Sequence, residues 1–195
     1  RFDQNYRIAT LDEQVTYPAP SYSATDTPIA PQNGNSLEFG WKSDSTRITA
    51  YYLINNDEIY YDGETSFTNT TVNKTERYGL NYSSDIRLSN SVTASINATQ
   101  AYAKFTDDTY DGYTVPSTSE YFGSLKLEQK ISDAWPLNIL SRYQSGQYSI
   151  NDWSNAYGRR NAYLETNLTV SYIGKLFSSS LMIGNLFDDE YDSYH

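Results

Sequence analysis

Few side chains in this sequence of 195 residues are of the kind that make or break bonds. There is no cysteine, which removes thiolate nucleophiles, disulfides and sulfur-ligated metals. His195 is the only histidine and stands last in the chain, without a cysteine or second histidine nearby, which argues against a zinc or catalytic role. The acid pairs Asp107-Asp108 and Asp188-Asp189 fall between apolar segments, where solvated charge explains them without a glycosidase-like pair. Neither a Gly-x-Ser-x-Gly elbow nor a phosphate-cradling glycine loop occurs. The expectation is a protein that is no enzyme and carries no cofactor or resident metal. One metal question stays open: Asp57, Glu58, Asp62 and Glu64, and again Asp107, Asp108 and Asp111, offer the hard oxygens calcium takes, though not at the Asp-x-Asp-x-Asp-Gly spacing of a calcium loop.

Recognition chemistry is better represented. Twenty Tyr, seven Phe and three Trp stand against one Met, so aromatic rings supply much of the apolar area. Candidate ligand contacts in the connections between apolar segments are Tyr17, Tyr22, Tyr60, Tyr61, Tyr110, Tyr113, Trp153 and Tyr157, with Arg159 and Arg160 able to attract an anionic ligand. The plainer role for each is an aromatic girdle at a membrane boundary and, for the arginines, lipopolysaccharide phosphates. A formal net charge of −10 argues against a nucleic-acid partner.

The elements that position these residues show a period of two. Val92, Ala94, Ile96 and Ala98 alternate with Thr93, Ser95, Asn97 and Thr99, which puts the apolar set on one face of a β-strand. The same beat runs through 36–42, 47–54, 78–82, 121–131, 137–143, 164–172 and 177–183. Connections near 43–45, 84–90, 132–134 and 173–175 are brief, whereas those near 55–74, 102–119 and 146–161 are long. Every long connection then emerges at one end of an antiparallel meander, which is the topology of outer-membrane barrels and not of a Greek-key sandwich. Mean hydropathy of −0.67 does not conflict, because a tilted spanning strand needs about 9–11 residues and half of them are polar. Glu38, Lys42, Arg47, Lys126, Glu128, Arg142 and Glu165 fall on the polar side and are expected to face an aqueous lumen, with the apolar side facing lipid. A passive porin and a soluble extracellular β-domain that binds carbohydrate or protein are the alternatives.

Several strings resemble one family. Arg7-Ile8-Ala9-Thr10-Leu11-Asp12-Glu13 is similar to the Phe-Arg-x-Pro-x-Leu-x-Glu segment of TonB-dependent outer-membrane receptors, with Tyr6 in place of Phe and Ala9 in place of Pro. Pro31-Gln32 followed by Ser36-Leu37-Glu38-Phe39-Gly40 resembles their Lys-Pro-Glu-x-Ser-x-x-Tyr-Glu-x-Gly segment without the Lys. Asp57-Glu58-Ile59 resembles their Asp-x-Ile, and Asn73 to Asn81 their Asn-x-x-x-x-Arg-x-x-Gly-x-Glu with Asn81 at the usual Glu. The most specific string, Asn185-Leu186-Phe187-Asp188-Asp189-Glu190-Tyr191, resembles the Asn-Leu-Phe-Asp-x-x-Tyr signature near the receptors' carboxyl end.

The resemblance implies an all-β, antiparallel, up-and-down transmembrane β-barrel of twenty-two strands around a plug, of which this chain holds eight or nine. Residues 1–195 are then expected to be a partial barrel domain, without plug or final strand, and the absence of an initiating Met fits a piece of something longer. It further implies a Gram-negative outer-membrane location beside lipopolysaccharide. The implied function is active uptake of a scarce ligand such as a ferric siderophore, haem or cobalamin, a small molecule or metal chelate. The energy would come from the TonB complex acting through the plug.

Overall fold

Alternation in the sequence becomes alternation in space through eleven strands. In the computed structural model, which describes residues 1–10, 13–16, 23–24, 29–62, 68–107 and 109–191, these are β1 (Phe2–Arg7), β2 (Val15–Thr16), β3 (Ser23–Ala24), β4 (Gln32–Lys42), β5 (Thr46–Asp62), β6 (Thr68–Arg87), β7 (Val92–Asp107), β8 (Tyr121–Ser132), β9 (Trp135–Gln144), β10 (Tyr163–Ile173) and β11 (Ser178–Ile183). The described residues contain no helix. Strands β1-β4-β5-β6-β7-β8-β9-β10-β11 form one antiparallel sheet in that order, and β2 and β3 form a separate two-stranded ribbon. β1 and β11 are its edges, so the sheet is not closed.

Register carries the two faces unbroken across the sheet. Leu37 stands opposite Tyr52, Ala50 opposite Leu80, Ile96 opposite Leu125, Leu127 opposite Ile139 and Leu168 opposite Ile183, all on the apolar side. No second layer covers that side: Phe39 is 80% exposed and Leu181 67%. The total accessible surface of 12910 Å² exceeds the roughly 9,400 Å² expected for a compact monomer of 22.2 kDa. An uncovered apolar face of this extent marks a surface that meets lipid or another protein in place of bulk water.

Aromatic rings mark the borders of that face. Tyr52, Tyr78 and Tyr102 are cross-strand neighbours, with ring centroids of Tyr78 and Tyr102 5.3 Å apart, and the hydroxyls of Tyr102 and Tyr121 meet at 3.2 Å. At the short-turn end Tyr172 packs on Trp135 at 5.0 Å and on Phe177 at 5.2 Å. Tyr78, Tyr102 and Tyr121 stand about ten residues above the short turns, which at a rise of ~3.3 Å and a tilt of ~45° is about 23 Å. That matches the roughly 25 Å apolar band of outer-membrane barrels.

The structure departs from the sequence expectation beyond that band. The long connection expected from about 55 to 74 is instead mostly strand, with β5 and β6 paired as far as Asp62 and Thr68. Ile59-Tyr60-Tyr61 and Thr70-Thr71-Val72 are β-branched and aromatic residues that suit a pleated surface, so the hairpin continues out of the membrane. β7 likewise runs to Asp107, past the expected break near 102.

The buried apolar core gathers at this outer end. Val72, Ala103, Phe105, Val115 and Trp153 form it, with Tyr60 and Tyr110 packed against them. Trp153 lies 5.3 Å from Tyr110, 5.7 Å from Tyr60 and 6.1 Å from Phe105, ring centre to ring centre. Ala103 and Phe105 occupy the positions of β7 that continue its polar face, opposite Arg77 and Thr75, so the connections 109–120 and 145–162 fold against the inner side of the wall. Trp153→Ala should remove about 3–5 kcal/mol of packing from this cluster. Limited proteolysis of the full-length protein should show cleavage within 109–120 and 145–162, while the heat-resistant migration of the folded barrel on a gel is unchanged.

Candidate binding site at the outer end

The site is built where β5, β6 and β7 leave the membrane band. Asp57 has φ of 53°, a left-handed conformation that Asp tolerates, and it turns Glu58 toward the side already occupied by Asn55. Glu58 accepts hydrogen bonds from Arg77 Nη1 at 2.6 Å and from the Thr75 hydroxyl, and Arg77 Nη2 donates to the Tyr60 hydroxyl at 2.7 Å. Two of the sequence motifs thus meet: the Asp57-Glu58-Ile59 string supplies the carboxylate and the Asn73-to-Asn81 string supplies the guanidinium. Gly79 of the second string lies under the Tyr51 ring, and a Cβ there would run into that ring and the Gln100 carbonyl.

Both ionisable partners outside the membrane band feel this knot. Burial works against ionisation of Glu58, but the Arg77 hydrogen bond and charge outweigh it and hold the carboxyl below its ordinary 4.5. Burial pushes the Tyr60 phenol above its ordinary 10, so it stays protonated.

The two long connections are tied to one another as well as to the wall. Thr114 N donates to Asn155 Oδ1 at 2.8 Å, Asn155 Nδ2 donates to the Thr114 carbonyl at 3.0 Å, and Ser117 N donates to the Tyr148 carbonyl at 3.0 Å. Asn155 makes this bridge from a left-handed φ of 54°. Buried Asp152 accepts the amides of Ala156 at 2.6 Å and Tyr157 at 3.1 Å.

The predicted contact residues therefore separate. Tyr60, Tyr110 and Trp153 come together in the packed cluster, and Trp153 is only 6% exposed. Tyr61, Tyr113 and Tyr157 remain exposed, the last at 85%. Arg159 pairs with Glu120 and lies 5.1 Å over the Tyr148 ring, while Arg160 Nε donates to Ser149 Oγ at 3.1 Å. Tyr17 and Tyr22 lie outside the described residues. Of the acids considered for calcium, Glu58 is engaged by Arg77, and no group of three potential metal ligands occurs among the described residues. Phe105, Glu120, Tyr148 and Asn155 were not singled out in the sequence. For Phe105 the signal was there: along one face of β7 the residues pass from Ser95, Asn97 and Thr99 to Ala101, Ala103 and Phe105.

All seven residues expected on the polar side share one face. Lys42 stands opposite Arg47, Glu38 opposite Tyr51, Lys126 opposite Ser95, Glu128 opposite Thr93, and Arg142 opposite both Ser124 and Glu165. Lys126 and Glu128 pair at 2.5 Å and Arg142 and Glu165 at 3.9 Å. Leu140 and Met182 join Lys126, Arg142 and Glu165 around an open cleft of about 540 Å³.

The Asn185-to-Tyr191 signature turns out to be a stop for β11. Asn185, at φ 47°, donates from its amide to Asn167 Oδ1 at 2.8 Å and accepts the Asp189 amide at 3.1 Å, while Asp189 Oδ2 accepts the Leu164 amide at 2.8 Å. Tyr191 stacks on Tyr163 at 4.5 Å.

Removing the Arg77 charge leaves a buried carboxylate alone, so Arg77→Met should weaken the outer hairpin by roughly 3 kcal/mol. Because the Glu58 pKa is depressed on folding, its contribution is present above the ordinary carboxylate value and is lost as pH falls through the lowered one. Hydrogen exchange of 57–62 and 69–76 should accordingly speed up below pH ~4.5 beyond the change in intrinsic rate. In Glu58→Gln the same amides should exchange faster at neutral pH and lose that acid step.

The sequence profile of the family described as TonB dependent receptor-like, beta-barrel matches residues 1–186. No curated protein matches the chain in sequence. Among solved structures, the ferric yersiniabactin uptake receptor FyuA of Yersinia pestis superposes with TM-score 0.74 at 18% identity, over 96% of this chain and 29% of its own. The copper transporter OprC superposes with TM-score 0.75 at 18% identity, over 98% and 31%. The siderophore receptor PiuA of Acinetobacter baumannii gives TM-score 0.70 at 16% identity, over 96% and 29%. The chain thus spans about three-tenths of the length of these structures, and at such identities the likeness is one of fold. With nine strands in meander order, a bare apolar face and a profile match over nearly its whole length, the chain belongs to the β-barrel family of TonB-dependent receptors, proteins of the Gram-negative outer membrane.

Proposed function

We propose that this chain forms part of a receptor wall that takes a scarce metal chelate across the outer membrane, driven by the TonB complex acting through a plug. One observation carries the reading: the long connections fold onto the polar side of the sheet, through Trp153 and Phe105, and not away from it. In a closed barrel that side surrounds the lumen, so these connections narrow its outer mouth into a vestibule. Below them the paired charges Lys126–Glu128 and Arg142–Glu165 and the cleft beside Leu140 and Met182 present a wet, mixed surface suited to contact with a plug. Exposed Tyr61, Tyr113 and Tyr157 are the ring contacts left for a ligand once the packed cluster is set apart. The neighbours described as a siderophore receptor and a ferric yersiniabactin uptake receptor support an iron chelate as cargo.

Cells expressing the full-length protein should accumulate iron-55 from a ferric trishydroxamate or ferric citrate. Accumulation should cease on addition of a protonophore and in a strain without TonB. Accumulation that persists through both treatments would identify a passive pore instead. Release of the full-length protein from membranes by salt alone, without detergent, would replace both readings with a soluble β-domain.

A further inference from the structure

The charge of this chain is sorted by height. Strand order places the connections after β1, β7 and β9, the extended hairpin of β5 and β6 and the segment after β11 at the outer end, as far as their residues are described. Among the described residues of 7–31, 57–77, 103–120, 145–162 and 184–191 are twelve Asp and Glu and six Lys and Arg, a formal charge of −6, against +1 for the other described residues. These cations do not offset the charge at the inner face, and Arg7 is paired with Glu13. Arg159 is paired with Glu120, Lys74 with Glu76, and Arg160 donates to Ser149. Lys104 follows Tyr102 and Gln100 in alternation and so lies on the outward, apolar side. Arg77, at the rim, is taken by Glu58.

Among the described residues the inner face at this height holds no cluster of cations. An open cleft of about 280 Å³ lies between the 145–162 connection and the 184–191 segment. Gln144, Gln147, Asn161 and Tyr163 give it amide and hydroxyl groups, and its two charges, Arg160 and Glu190, are of opposite sign. Such a lining suits a ligand that hydrogen-bonds and carries no net negative charge. A field of this sign reaches about 8 Å at physiological salt and acts on a ligand before contact.

We infer that the outer end selects by charge, admitting an uncharged or cationic chelate and repelling a polyanionic one such as a tris-catecholate. This rests on the receptor reading above. The test uses full-length receptor in detergent and four probes: ferrioxamine B, a cationic ferric trishydroxamate; ferrichrome, an uncharged one; ferric enterobactin, a trianionic tris-catecholate; and ferric citrate. Association rates are measured at low salt and at about 0.5 M.

Ferrioxamine B or ferrichrome should bind. The ferric enterobactin rate should be low and should rise at least about tenfold with salt as repulsion is screened. The double variant Asp111→Lys, Glu190→Lys, made at two exposed positions, should raise the low-salt enterobactin rate and lower that of ferrioxamine B. Fast enterobactin binding that salt slows overturns the inference, as does failure of both non-anionic chelates to bind. TonB-dependent uptake of ferric enterobactin or ferric citrate with such kinetics would leave the receptor reading intact and remove this one alone.

Discussion

The constraint on which the rest depends is that a backbone amide in hydrocarbon has no water to bond. Each must find its partner on the next strand, so the ladder admits no gap through the apolar band. Because side chains alternate with period two, the same ladder decides what faces lipid, and a slip of one residue would turn Lys126, Glu128 and Arg142 outward in place of Leu125, Leu127 and Tyr143. The irregularities of register fall where that penalty lapses. One lies between Lys74 and Thr75, above the Tyr52–Tyr78–Tyr102 ladder, and the other between Lys130 and Ser132, at a short turn.

Once the ladder passes out of the band, water can satisfy the backbone and the wall needs another reason to stay ordered. The wall supplies it with a reversal of polarity: the inner face of β7 turns apolar at Ala103 and Phe105, where lower on the same face stood Ser95, Asn97 and Thr99. Trp153 reaches this surface from the 145–162 connection and Val115 from 109–120, so both are held as parts of the wall. The Glu58–Arg77 pair sits at the changeover, satisfying a carboxylate that burial would otherwise penalise. Aromatic residues consequently serve distinct ends by position: lipid-border rings such as Tyr78 and Tyr102, packed rings such as Phe105 and Trp153, and exposed rings such as Tyr157.

This division explains what the sequence disclosed. Strand faces were legible because Leu125 to Ile131 or Leu164 to Tyr172 repeat a beat imposed by lipid on one side and water on the other. The beat loses meaning above the band, where Ile59-Tyr60-Tyr61 has neither solvent arranged in that way, and the continuation of β5 and β6 went unseen. Trp153 was unreadable for another reason. Its burial depends on Val72 and Tyr60, more than eighty residues away in sequence, and a connection without period gives no sign of which ring turns inward. The Asn185-to-Tyr191 string was recognisable as a resemblance, but its task of bonding Asn167 and the Leu164 amide appears only when β10 and β11 lie side by side.

The motif residues are better understood as joints than as ligand contacts. Glu58 with Arg77, Gly79 beneath Tyr51, and Asn185 with Asp189 each sit where the strand ladder must end, bend or approach closely, conditions shared by any barrel of this architecture whatever it carries. What the joints hold up is the exposed rings of Tyr61, Tyr113 and Tyr157 and outer acids outside the joints, such as Asp111 and Glu190. A scaffold fixed by lipid and closed by such joints leaves its outer surface open to change without cost to folding. Selectivity in this chain is therefore to be sought in that outer charge and those rings, and not in the strings by which its family is recognised.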